Sequence, residues 1–129
     1  MTTAPILSIS PFFIVADVAA AISFYREKLE FEVTFQEPAE DPFFAIVGRG
    51  GAMIMLKSVG VGPLPNRQRD PQARWDAYLY VPDPDALAAE FASRNVNFSL
   101  PLEDTHDGLR GFELADTDGY VLFFGRPRN

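Results

Sequence analysis

Apolar positions along the chain follow two rhythms, an alternation every second residue and a spacing of three to four, and the two recur in the same order twice. Ile6–Val15 is β-branched and aromatic and predicts a strand, with Pro11 marking an edge or an irregularity. Asp17 stands where a helix cap belongs, and Val18, Ile22, Tyr25 and Leu29 then recur at helical spacing. Phe31–Phe35 alternates as a strand, the Pro38–Pro42 segment reads as acidic loop, and Phe43–Val47 predicts a third strand. Gly48, Gly50 and Gly51 mark a hairpin into a fourth, Ala52–Lys57.

After a stretch rich in Gly, Pro and charge, Ser58 to Arg74, the pattern restarts. Trp75–Val81 predicts a strand, and Asp83 followed by Pro84 sets a capping carboxylate before a first-turn proline. Ala86–Ala92 continues as a helix with Leu87 and Phe91 on one face. Asn97–Leu100, Gly111–Leu114 and Tyr120–Phe124 predict three more strands, the last entered through the turn "DTDG". "IVADV" at Ile14–Val18 corresponds to "YVPDP" at Tyr80–Pro84, an offset of 66, and "EFEVTF" at Glu30–Phe35 to "NVNFSL" at Asn95–Leu100. Two matches in one order predict a true internal repeat. The fold class is therefore α+β: one domain, 1–129, of two βαβββ modules (6–57 and 75–126, joined by a linker over 58–74) forming a curved mixed sheet around a cleft. Each half alone would expose one apolar sheet face, and pairing the halves is expected to bury it.

Composition narrows the function. Apolar residues make up 47% of the 129, with 12 Phe, enough for a core. The net charge of -7 argues against nucleic acid and anionic membranes as partners and suits cationic ligands. No cysteine is present, which removes disulfides, thiolate metal sites and cysteine nucleophiles. Residues Met1 to Val15 lack a basic region and carry Pro5 and Pro11, so neither a signal peptide nor a membrane span is expected there, and the expected location is the cytoplasm.

"PFFIVADVAAAISFYREKLEFEV" resembles the opening module of the vicinal oxygen chelate superfamily, which includes glyoxalase I, extradiol dioxygenases and the fosfomycin and bleomycin resistance proteins. "FELADTDGYVLFFG" resembles its closing hairpin, with Thr117 in place of the usual proline. The resemblance covers essentially the whole chain, and it implies the glyoxalase/bleomycin resistance fold. That fold hosts lyases, dioxygenases, transferases and binders, so it does not by itself name a function. It also implies four metal-ligand positions, which fall here on Ser10, Met55, Asp76 and Phe123. One carboxylate in such a set does not hold a divalent first-row metal, which needs about three N/O ligands. No metal, cofactor or catalytic residue is therefore expected.

Alternation along the strands sets Phe12, Met53, Met55, Asp76, Tyr78, Tyr80 and Phe123 on the former ligand face. They make an apolar and aromatic concavity with a few polar groups, as organic-ligand pockets do. The plainer alternative is that these aromatics only fill an interior. His106 in "EDTHDG" reads as an exposed turn histidine, Arg49 as hairpin charge, and Arg67, Arg69 and Arg74 as solvated loop charge. With one histidine, a Ser-His-acid triad is not supported. The expected function is a metal-independent binder of bleomycin-resistance type, sequestering an aromatic or cationic small organic molecule as a homodimer. The alternatives are a lyase or dioxygenase of the superfamily and a structural or regulatory domain with a filled interior.

Overall fold

The computed structural model describes residues 2–128; Met1 and Asn129, the outer bounds of the expected domain, lie outside the described residues. Module one runs β1 (Phe12–Ile14), α1 (Val18–Glu27), β2 (Glu32–Glu37), β3 (Phe44–Arg49) and β4 (Ala52–Lys57). A single helical turn follows, α2 (Asn66–Arg69), inside the segment expected to be loop throughout. Module two runs β5 (Ala77–Tyr80), α3 (Pro84–Ser93), β6 (Leu100–Asp104), β7 (Leu109–Ala115) and β8 (Val121–Pro127). Each module forms one mixed four-stranded sheet, ordered β1-β4-β3-β2 and β5-β8-β7-β6. In each the first strand runs parallel to the last and the other neighbours are antiparallel. The helices start where the caps placed them. Asp17 accepts from the Ala20 N–H at 3.2 Å and Asp83 from the Ala86 N–H at 3.0 Å.

Three strands depart most from expectation, one of them β5, expected over Trp75–Val81 and formed over Ala77–Tyr80. Pairing in β1 begins only at Phe12, because Pro11 ends the register with β4 and its carbonyl accepts from the Met55 N–H. Ile6, Leu7 and Ile9, expected in that strand, stand 92%, 91% and 92% exposed. The sixth strand starts at Leu100, where Asn97–Leu100 was expected. Asn95 takes the left-handed conformation (φ 61) after α3, and Phe98 turns to pack on Phe112, 4.7 Å between ring centroids.

One side of each sheet packs on its own helix, and both of these sides feed a single core. Along α1 the buried positions are Val18, Ala21, Ile22 and Tyr25, the stripe that the spacing predicts. In α3 Phe91 is buried edge-on to Phe112 and Phe124. The opposite sheet sides are not closed by pairing of the halves, contrary to expectation: Phe12, Tyr78 and Tyr80 remain 53%, 40% and 69% exposed. The halves join through helix-side groups instead.

That junction has a local two-fold character. Lys28 and Arg94, 66 residues apart, close the two helices, and each donates to the backbone carbonyl of the other at 3.0 and 2.9 Å. Phe13 stacks on Tyr120 at 4.2 Å, and the Tyr120 hydroxyl donates to the Ile14 carbonyl at 2.6 Å. The Tyr25 hydroxyl donates to Asp116 Oδ2 at 2.6 Å. Asp116 Oδ1 accepts from the N–H groups of Asp118 and Tyr120, which folds the "DTDG" turn around Gly119 at φ 88. Asp118 in turn accepts from the Ala16 N–H at 3.0 Å.

Burial pushes the Asp116 carboxyl up to about 6, against the hydrogen bonds from Tyr25, Asp118 and Tyr120 that favour its charged form. A carboxyl raised in the fold opposes its own ionisation there. Its contribution to stability therefore falls as pH rises from about 4 to about 6 and is level above. Tyr25→Phe removes a donor to the charged form and raises Asp116 further. The destabilisation should reach about 2 kcal/mol at pH 7.5 and shrink below pH 5. Urea unfolding at the two pH values checks this, and an equal loss at both would contradict it.

Candidate ligand-binding cleft

A cleft of about 870 Å³ separates the edges of the two modules. Its module-one wall is the β3–β4 turn and the start of β4, from Arg49 to Ile54. This edge of β4 is uncovered because β1 pairs with it only from Met55 onward. The opposite wall is β5, which pairs with β8 on its other side, together with one face of α3. Two free strand edges therefore look across one groove, whose size suits an organic molecule.

Of the seven residues assigned to the site from sequence, Met53, Asp76, Tyr78 and Tyr80 line this cleft, and Ser10 joins them. Burial, and secondarily the neighbouring Tyr80, holds the Tyr78 phenol above its ordinary range, so it stays a neutral donor at neutral pH. Asp76 is fully engaged. Oδ1 accepts from the Asn66 N–H at 2.9 Å and Oδ2 from the Val121 N–H at 2.8 Å, which ties the 58–74 segment to β8. Phe12 and Met55 lie outside the cleft on the open side of the first sheet, where Phe12 approaches Phe44 at 6.3 Å between centroids. Phe123 also lies outside, 1% exposed beneath Trp75 on the open side of the second sheet.

The four positions matched to metal ligands do not fit a metal. Ser10 and Asp76 border the cleft, Met55 and Phe123 do not, and among the described residues no three His, Cys, Asp or Glu side chains gather to hold one. His106 sits in the β6–β7 loop, away from the cleft.

The polar floor of the cleft was not found from sequence. Arg49, read there as hairpin charge, places its guanidinium on Glu90 of α3 with two bonds of 2.8 and 2.9 Å and donates to the Leu29 carbonyl at 2.9 Å. Arg94 also donates to Glu90. Both guanidinium groups lie over the Phe91 ring, 5.9 and 5.7 Å from its centroid. The hydrogen bond from Arg49, then that from Arg94, holds the Glu90 carboxyl down at about 2 despite its desolvation. Arg49 and Glu90 are 41 residues apart on different modules, so no local spacing signals the pair.

The chain matches the Glyoxalase/Bleomycin resistance protein/Dioxygenase superfamily profile over residues 7–124. No curated protein sequence matches it. Among solved structures it resembles TioX from Micromonospora sp. ML1, with 19% identity, a TM-score of 0.76, and 93% of this chain and 98% of that one covered. The bleomycin-binding protein of Streptomyces verticillus, solved with copper(II)-bleomycin, shares 26% identity with a TM-score of 0.69 and coverage of 95% and 97%. TnmS3, an antibiotic binding protein from Streptomyces sp. CB03234, shares 22% with a TM-score of 0.67 and coverage of 98% of both chains.

The cleft floor predicts a pH signature. A carboxyl lowered from 4.5 to about 2 contributes fully above about 4.5, and that contribution is lost as pH falls toward 2. Glu90→Gln should therefore lower stability by about 1 kcal/mol at pH 7. The variant and wild type should converge near pH 2.5. Denaturant midpoints across this range check the claim, and a pH-independent gap would overturn it.

Proposed function

The chain belongs to the glyoxalase/bleomycin resistance protein/dioxygenase superfamily, and from that premise we propose that it is a metal-independent small-molecule binding protein of bleomycin-resistance type. It sequesters an aromatic or cationic organic molecule in the inter-module cleft. The observation that carries this reading is the cleft itself: about 870 Å³, with an adaptable Met53 on one wall and Tyr78 and Tyr80 on the other. The tyrosines stack on and hydrogen-bond to the ligand, while Asp76 anchors the 58–74 segment beside them. Phe12, Met55 and Phe123 serve the open sheet sides and touch the ligand only where it extends beyond the cleft.

Supporting the reading are neighbours whose names state that they bind bleomycin or an antibiotic, the misfit of the four metal positions, and a net charge of -7 that favours a cationic guest. Among the described residues no helix is long and apolar enough to cross a membrane. The protein acts in the cytoplasm as a homodimer. Ile6, Leu7 and Ile9, each more than nine-tenths exposed, offer a second copy an apolar strip.

Two experiments test this. Calorimetry against bleomycin and a panel of planar and cationic antibiotics should find a binder, unaffected by prior dialysis against EDTA. Met53→Ala with Tyr80→Ala should weaken that binding about tenfold or more. Absence of any binder, or loss of binding on chelation, sinks the proposal. Light scattering after size exclusion should give twice the chain mass, and aspartate at positions 6, 7 and 9 together should return the protein to monomer. A wild-type monomer at tens of micromolar would refute the dimer.

A further inference from the structure

β5 is an edge strand: it pairs with β8 alone, and its outer side forms one wall of the cleft. The Val81 N–H donates to the Gly125 carbonyl at 3.0 Å, and alternation along a parallel ladder sets Leu79 and Ala77 on that same side. The main-chain N–H and C=O groups of Tyr78 and Tyr80 therefore turn toward the cleft, where β5 has no neighbouring strand among the described residues. On the facing wall the Met55 N–H donates to the Pro11 carbonyl at 3.0 Å. Met53, two residues earlier, points its main-chain groups the same way, beyond the first residue of β1 to pair with β4.

Unpaired strand edges recruit further strands, and proteins block the edges they do not use. The other edge strands here are blocked. β1 spans 3 residues behind Pro11, and the Tyr120 hydroxyl takes its Ile14 carbonyl. β2 has an irregularity between Val33 and Phe35 and a glutamate at each end, Glu32 and Glu37. β6 is irregular between Leu100 and Glu103 and carries Pro101, Glu103 and Asp104. β5 alone has regular register and neither charge nor proline from Ala77 to Tyr80. Its 4 residues give an edge of roughly 13 Å at about 3.3 Å per residue, the length of a tetrapeptide, and Pro82 follows just beyond it.

We propose that the cleft takes a short extended peptide, or a ligand with a peptide backbone, that adds to the second sheet beside β5 and bonds the main-chain groups of Tyr78 and Tyr80. This rests on the reading of the cleft as the ligand site and names the class of ligand. Only every second amide of such a guest faces β5, so recognition has a period of two along the guest's backbone. Side chains of the guest then alternate between the apolar α3 face, at Ala86 and Leu87, and the two phenol rings.

The probe is a pool of acetylated tetrapeptide amides with Val, Thr, Tyr and Lys varied at every position, incubated with the full chain. Ultrafiltration and mass spectrometry should find a subset of sequences retained. In the tightest of these, N-methylation of one amide at a time should cost about tenfold in affinity at alternate positions and less than about twofold between them. Tyr80→Pro removes an N–H that the β8 ladder does not use. It should bind about fivefold more weakly than Tyr80→Ala, which keeps that N–H. The N-methyl series is read on the wild-type protein and does not depend on either variant folding. Hydrogen exchange should show the Tyr78 and Tyr80 amides open in the free protein and slowed by the peptide. A uniform or absent effect along the N-methyl series would overturn the assignment, as would amides already protected without peptide because a second copy pairs there. Non-peptidic antibiotics that bind while no peptide is retained would remove the peptide and leave the cleft as the ligand site; no binder of either kind would remove both.

Discussion

Everything that gives this molecule a cleft follows from how its two modules are joined at the closing turns of their helices. Lys28 and Arg94 each hydrogen-bond the other's main-chain carbonyl, so the two helix ends meet about a local two-fold axis. Helix C-termini carry unsatisfied carbonyls and partial negative charge, and the cation closing each helix bonds a carbonyl at the other's terminus. The first turn beyond each helix is left-handed without glycine, at Glu30 (φ 58) and Asn95 (φ 61). With the ends held together there, α1 lies against the 116–120 turn of module two and α3 against the hairpin turn of module one. The strand edges of β4 and β5 are then left facing each other across a gap.

The two contacts flanking this axis occupy equivalent places but use different chemistry. On one side Tyr25 reaches Asp116 by a hydroxyl–carboxylate bond in a buried setting. On the other its counterpart Phe91 has no hydroxyl, and Arg49, Glu90 and Arg94 form an ion-pair cluster over the ring. A buried carboxylate with one phenol and two amide donors is held at the edge of ionisation, whereas a half-buried one between two guanidinium groups is held charged. The first makes a closed, dry joint. The second leaves charge and fork-shaped donors at the floor of the cleft.

Features legible in the sequence were those set by local chemistry. The caps Asp17 and Asp83, the hairpin glycines and the helical stripe from Val18 to Tyr25 express short-range preferences that the fold leaves intact. The offset of 66 located the second module because the repeat preserves spacing even where identity is lost. What escaped depended on distant partners. Ile6 to Ile9 have the composition of a strand, but a strand needs a neighbour, and Pro11 cuts them off from β4. Asp76 reads as a free carboxylate until Asn66 and Val121 claim both its oxygens. Phe123 is covered by Trp75, which the alternation assigns to a strand and the fold leaves just ahead of β5.

The open sides of the two sheets carry different side chains at equivalent places in the two modules. In module one that side carries Phe12, Phe44, Met53 and Met55, side chains that are flexible or only loosely packed on one another. In module two the equivalent side carries rings in a fixed pile, Phe123 over two glycines and Trp75 over Phe123, with Glu113 neutralised by Arg74 beside them. One architecture therefore presents thioethers and tilted rings on one sheet and stacked rings on the other, and the shared junction sets both beside the cleft between the modules.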